Sequence, residues 1–168
     1  FTVHGHFDSD LTIGKSITLI GIDSSGKCAT LNTKESLPAF RSIHIKAEAA
    51  ESRVSGLHVQ QGGFHVEGNA TLRHIHVENG DTCIRLEAKA TLSGFIAENC
   101  AVGVTVDAQS SLVNGIITHN KGNGIVVNAT SKIQHLTISQ NEGDGIVLKE
   151  GKSQFFNSLI TGNRGYGL

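Results

Sequence analysis

Tryptophan and methionine are absent from this 168-residue chain, tyrosine and proline occur once each, and aromatic residues make up only 5% of it. The shortage of aromatic rings removes the stacking platforms that single-stranded nucleic acids need. Charge of one sign is lacking too: 14 Lys and Arg face 15 Asp and Glu, a net charge of −1. That balance excludes binding to nucleic acid or an anionic membrane surface driven by charge alone. No apolar run approaches the roughly 18 residues that span a bilayer, so membrane insertion is not expected, and no signal peptide is visible. There is no C-x-x-C pair, which argues against a zinc ribbon or a thioredoxin-like redox motif. The three cysteines, Cys28, Cys83 and Cys100, are an odd number, so at least one lacks a partner within the chain.

What is abundant is glycine, 20 residues of it, and a repeat. Asparagines stand at Asn79, Asn99, Asn120, Asn141 and Asn163, with spacings of 20, 21, 21 and 22. Glycines at Gly103, Gly124, Gly145 and Gly167 and apolar residues at Leu72, Leu92, Leu112, Ile133 and Phe155 keep the same step. A fixed period of this length marks a solenoid. Each unit carries two strand-like stretches. One follows the glycine and alternates, placing Val104, Val106, Ile125, Val127, Ile146 and Leu148 on one face. The other has the form Leu72-x-x-Ile75-x-Val77-x-Asn79. Small polar turn residues such as those at 128–131 separate them, with no room for an ordinary helix. A leucine-rich repeat fits the period, but Gly-rich turns and Val/Ile strands follow the asparagine where that fold needs a convex helix.

The fold expected is therefore an all-β, right-handed parallel β-helix of about eight coils, stacked about 4.8 Å apart. The chain is read as one domain, 1–168, with less regular first coils over 1–40 and regular coils over 41–168. An irregular excursion between Asp23 and Phe40 holds Pro38, the only proline. The start at Phe1 and the uncapped apolar end at Leu168 suggest part of a longer chain, or end-to-end assembly. The five asparagines are expected to form a structural ladder, taking left-handed backbone angles at a turn and passing amide hydrogen bonds along the stack.

The units Asn120-Lys-Gly-Asn-Gly-Ile-Val-Val127 and Asn141-Glu-Gly-Asp-Gly-Ile-Val-Leu148 resemble parallel β-helix repeats of the pectin-lyase-like superfamily, as found in carbohydrate-binding and sugar-hydrolase modules. The stretches Leu11–Gly21 and Lys27–Leu31 are similar to first coils of such proteins. The resemblance implies a secreted, cell-surface or periplasmic protein with a polysaccharide partner. It leaves activity open, because that superfamily holds lyases, hydrolases and inert scaffolds.

Chemistry is sought on the outward columns of the strand after the glycine. One column runs His44, His65, Arg85, Thr105, Val126 and Val147, and the next runs Lys46, Glu67, Glu87, Asp107, Asn128 and Lys149. Three carboxylates on neighbouring coils either share a cation or shift their titration. Glu67, Glu87 and Asp107 thus become candidate calcium ligands; nothing else in the sequence requires a cofactor. In a uronate lyase, Arg85 would act as base or charge stabiliser, with Glu87 and Asp107 completing the catalytic set. Paired carboxylates also suit glycoside hydrolysis. As a binding face, His44, Lys46, His65, Glu67 and Arg85 would contact acidic glycan. The plainest reading of the same columns is a cross-coil ion-pair ladder. Short, uniform turns from Gly63 onward favour binding or scaffolding over an enzyme's cleft, with a purely structural rod as the remaining alternative. His58 and His76 are read as outward on adjacent coils, with His74 and Glu78 on the same face, as a conceivable transition-metal site. Cys83 and Cys100 are expected to be small buried thiols, because their offset within the repeat points to α-carbons beyond the limit of roughly 7 Å, with a disulfide as the alternative. The sequons at Asn69 and Asn128 carry no weight without a eukaryotic secretory source.

Overall fold

The computed structural model describes residues 1–23, 25–27, 37–149 and 152–168; Cys28 and most of the excursion before Phe40 lie outside them. Each regular coil gives one short strand to one sheet and one long strand to another. The short strands are β2 (Leu11–Ile13), β5 (Ile43–Ile45), β7 (Phe64–Val66), β9 (Thr82–Leu86), β11 (Val102–Val106), β13 (Ile125–Val127) and β15 (Ile146–Leu148). They pair in that order into a seven-stranded parallel sheet. The second sheet stacks β1 (Thr2–Val3), β3 (Thr18–Gly21), β6 (Ser52–Val59), β8 (Ala70–Glu78), β10 (Ala90–Glu98), β12 (Ser111–Thr118), β14 (Lys132–Ser139) and β16 (Gln154–Phe156). Two further strands join its edges: β4 (Ala39–Phe40) pairs with β6, and β17 (Leu159–Thr161) with β14. Consecutive turns of the chain pair in parallel throughout, the signature of the expected β-helix, with about seven turns.

The long strands are not straight. Gly56, His74, Gly94, Asn114 and His135 all have φ between 52° and 69°, and the pairing register skips each of them. A left-handed residue in mid-strand turns the chain, so each long strand covers two sides of the coil and the short strand covers the third. Glycine and asparagine enter that region cheaply; histidine does so at some cost.

Inward residues stack on their equivalents in the next coil. Ile45, Val66, Leu86, Val106 and Val127 form one fully buried file through the short strands. Leu72, Leu92, Leu112 and Ile133 form another through the long ones. Burying each such side chain contributes about 1.5–3 kcal/mol, and no coil can do so without its neighbours.

The asparagines divide into two columns. Asn120, Asn141 and Asn163 point inward and form the ladder: Asn120 Nδ2 donates to Asn141 Oδ1 at 2.9 Å, and Asn141 Nδ2 to Asn163 Oδ1 at 2.8 Å. The backbone N–H groups of Cys100, Asn120 and Asn141 each donate to the next Oδ1 at 3.0 Å. Asn79 and Asn99 stand one position earlier in their coils, exposed, with φ of 61° and 58°. The two properties expected of one asparagine column therefore belong to two. A serine ladder, not foreseen from the sequence, runs along another corner: the N–H groups of Ala90, Ser110 and Ser131 donate to the Oγ atoms of Ser110, Ser131 and Ser153 at 3.0–3.2 Å.

The ladder explains the cysteines. Cys100 occupies the ladder position one coil before Asn120, and Cys83 the position that Gly103 fills in the next coil. A Cβ built on Gly103 would lie 2.9 Å from Asn120 Nδ2, so this glycine and this asparagine face each other across the start and end of one coil. The same pair recurs as Gly124 with Asn141 at 2.9 Å and Gly145 with Asn163 at 2.8 Å. In the coil that begins with β9, cysteines stand at both places and are bonded, with α-carbons 5.6 Å apart. The expected free thiols are thus corrected. Residues 17 apart in sequence return to the same corner because one coil closes between them.

Candidate functional site

The outward columns of the short-strand sheet assemble in the expected register. His44 pairs with His65, and His65 with Arg85, on β5, β7 and β9. Strand pleating sends these side chains out while Ile43, Ile45, Phe64 and Val66 go in. Glu67, Glu87, Asp107 and Asn128 follow at the ends of successive strands, each N–H bonded to the previous coil.

The two columns interlock diagonally. His44 Nε2 lies 3.0 Å from Glu67 Oε1, and His65 Nε2 lies 3.2 Å from Glu87 Oε2. Arg85 Nε lies 2.8 Å from Glu87 Oε1 and 3.2 Å from Asp107 Oδ2, and Asn128 Nδ2 donates to Asp107 Oδ1 at 2.5 Å. Arg85, Glu87 and Asp107 therefore brace one another, an arrangement that favours holding the strand face over abstracting a proton. Lys46 stands exposed at the head of the carboxylate column. Beyond Asp107, Thr105, Val126 and Val147 continue the first column without ionisable groups.

The upper part of this zipper differs from the lower. The rings of His44 and His65 stack with centroids 4.8 Å apart and planes 7° from parallel. Both Nε2 atoms are shielded from solvent, yet neither makes an aligned hydrogen bond, although each has a carboxylate oxygen within ion-pair distance. The short distances are real contacts, but the oxygens stand off the ring-plane direction in which an N–H donates. His44, His65 and Glu67 bring two imidazole nitrogens and one carboxylate oxygen within 4.8 Å of one another.

Residues 25–168 match a protein family described as the periplasmic copper-binding protein NosD. The chain belongs to the NosD family. No curated protein and no solved structure matches the chain. The family is periplasmic, which agrees with the expected secreted or periplasmic location, and no described helix is long and apolar enough to cross a membrane. A disulfide buried in the core also suits an oxidising compartment.

The NosD assignment corrects the expectation of calcium or no cofactor: the family's description points to copper. The donor chemistry of this face agrees with that. Calcium takes six to eight oxygens, whereas the carboxylates of Glu87 and Asp107 are occupied by Arg85 and Asn128. Where three ligand atoms do converge, two are imidazole nitrogens, a set that suits copper and its neighbours. Two unaligned, water-shielded Nε2 atoms beside a carboxylate fit a bound metal ion.

A second group of the same composition lies on the long-strand sheet. His58 of β6 pairs in register with His76 of β8, as expected, but both are buried, and Glu78 with them. His58 Nε2 lies 2.8 Å from Glu78 Oε1, and His76 Nε2 lies 2.8 Å from Glu98 Oε1. His74, expected beside them, is the left-handed corner residue of β8 and is exposed. Glu98 was not singled out in the sequence. Its signal was there, since it stands 20 residues after Glu78, one repeat on.

Proposed function

We propose that this NosD-family chain is a periplasmic β-helix that carries copper on its short-strand face, with His44 Nε2, His65 Nε2 and a Glu67 oxygen as ligands. The observation that supports this most is the pair of shielded, unaligned Nε2 atoms next to a carboxylate. Bound there, copper(II) would exchange imidazole nitrogens and a carboxylate for solvent ligands at a half-exposed position, with the side chains of His44 and Glu67 34% and 35% exposed. Such openness suits uptake and release more than permanent storage. The protein's own contribution is positional: two adjacent strands fix the rings in a stack, and Arg85 holds Glu87 so that it braces His65. The three-sided coil belongs, on this reading, to the wider pectin-lyase-like architecture used as a scaffold and without an enzymatic role.

Copper(II) titration followed by electron paramagnetic resonance tests the proposal. The native protein should show nitrogen hyperfine structure from bound imidazole, and the rapidly chelated part of that signal should be lost in His44→Gln/His65→Gln and weakened in Glu67→Gln. Identical spectra in the native and double-variant proteins would sink it.

Glycan binding remains as a second reading, favoured by a different place. A groove lined by Lys89, Gln109, Thr130, Lys132, Lys152 and Gln154 presents three lysines among hydroxyl and amide groups, the chemistry that receives an acidic polysaccharide. Retention on a uronate or sulfated-glycan column, lost in Lys132→Glu/Lys152→Glu, would favour it; passage through the column unretained would remove it.

A further inference from the structure

We infer that His58, His76 and Glu78 form a second metal centre, buried on the long-strand sheet, for a divalent cation of borderline softness such as zinc or copper. It is separate from the reading at His44 and stands or falls without it. Three observations carry it. The three ligand atoms lie within 4.8 Å of one another. All three residues are buried, with side-chain exposure of 2% for His58, 4% for His76 and 10% for Glu78. The two rings are stacked, with centroids 4.6 Å apart and planes inclined by 27°, so that their Nε2 edges serve one neighbourhood.

Metal-site logic accounts for details that a polar strand exterior leaves unexplained. An outward strand face needs polar residues, but it needs them wet; His58 and His76 are buried, with their Nε2 atoms held by Glu78 and Glu98. A single divalent ion reached by both Nε2 atoms would replace the protons in those two contacts and place its charge against Glu78. Each ring would then carry its proton on Nδ1, the usual state of a metal-bound histidine. Glu98, 2.8 Å from His76 Nε2 and 23% exposed, would become a further oxygen ligand once that nitrogen holds the ion. Two nitrogens with one or two carboxylate oxygens is a donor set for zinc or copper(II), and a poor one for calcium or magnesium.

Burial separates the two centres experimentally. The chain is loaded with zinc(II) or copper(II) alone, dialysed against excess chelator, and its metal content measured by mass spectrometry. The His44→Gln/His65→Gln protein is the decisive sample, because it keeps the buried residues intact. It should retain about one equivalent per chain, slowly released, as expected of a folded, closed site. X-ray absorption on that sample should show scattering from two imidazoles. Adding Glu78→Gln should speed chelator release at least tenfold while circular dichroism still reports a folded β-helix. A folded His44→Gln/His65→Gln protein that keeps no metal after dialysis would overturn the inference. If instead the native and His44→Gln/His65→Gln proteins take up the same amount of metal before dialysis and the buried equivalent persists, the reading at His44 fails and this one holds.

Discussion

Two stacked histidine pairs, each beside carboxylates, sit on different sheets of one solenoid and have opposite surroundings. His44 and His65 lie on the short-strand face, about one-third exposed, within a zipper that continues through Arg85 to Asp107. His58 and His76 lie on the long-strand face and are almost dry. Their ring spacings, 4.8 and 4.6 Å, are nearly equal, because both follow from the distance between adjacent strands. The solenoid therefore fixes which residues meet, and the surroundings fix what the meeting is worth. In water such a pair is exchangeable and adds little stability; out of water the same pair holds charge that the fold must accommodate.

The sharpest test of this contrast is truncation. His58→Ala leaves Glu78 buried without its ring and should cost about 3–5 kcal/mol, whereas His44→Ala should cost no more than about 1 kcal/mol. Urea midpoints of the two variants measure it, and equal losses would erase the distinction. Next in size is the disulfide. Cys83 begins the strand beside β7, and Cys100 follows the strand beside β8, so the bond stands one coil beyond both pairs. Cys83→Ser/Cys100→Ser should cost about 3 kcal/mol for a loop of this length. Its effect should reach both pairs, seen as faster amide exchange in β7 and β8 alike; a change confined to one sheet would mean that the two faces unfold separately.

Asn141→Ala comes third. It removes the acceptor of Asn120's N–H and Nδ2 and should cost about 1–3 kcal/mol per group left unbonded. Thermal unfolding should show that loss while metal binding at either histidine pair stays unchanged, since the ladder lies coils away. The smallest effect belongs to Arg85→Gln, below about 1 kcal/mol at low salt. Raising salt to 1 M, where screening acts over about 3 Å, should abolish the difference between native and Arg85→Gln proteins. The His58→Ala deficit should survive the same treatment.

Much of this was legible in the sequence, and the rest failed for definable reasons. The period, the parallel coil and the outward columns from His44 to Lys149 follow from spacing, because a solenoid turns sequence distance directly into position. A repeat that drifts between 20 and 22 residues cannot say which of two neighbouring positions points inward, so Asn79 and Asn99 were grouped with a ladder that Asn120, Asn141 and Asn163 form without them. The disulfide was hidden by the same ambiguity: Cys83 opens a coil and Cys100 closes it, a relation visible only when the glycine and asparagine columns are seen to face each other. Alternation with Leu57 and Val59 identified His58 as outward-pointing, correctly. It could not tell that outward here means buried, since that depends on what lies over the sheet and not on the strand itself. Calcium was expected because carboxylates were counted by column, whereas the convergent group draws two imidazole nitrogens from the adjacent one.

The bond between Cys83 and Cys100 closes a ring of chain around the circumference of the rod, since it joins the two ends of a single turn. A protease that cuts anywhere inside that ring, from Ile84 to Asn99, severs the backbone without separating the pieces. The nicked rod would travel as one band on a non-reducing gel and as two after reduction. The three coils that follow, clasped at the same corner by Gly103 with Asn120, Gly124 with Asn141 and Gly145 with Asn163, have no such second thread among the described residues.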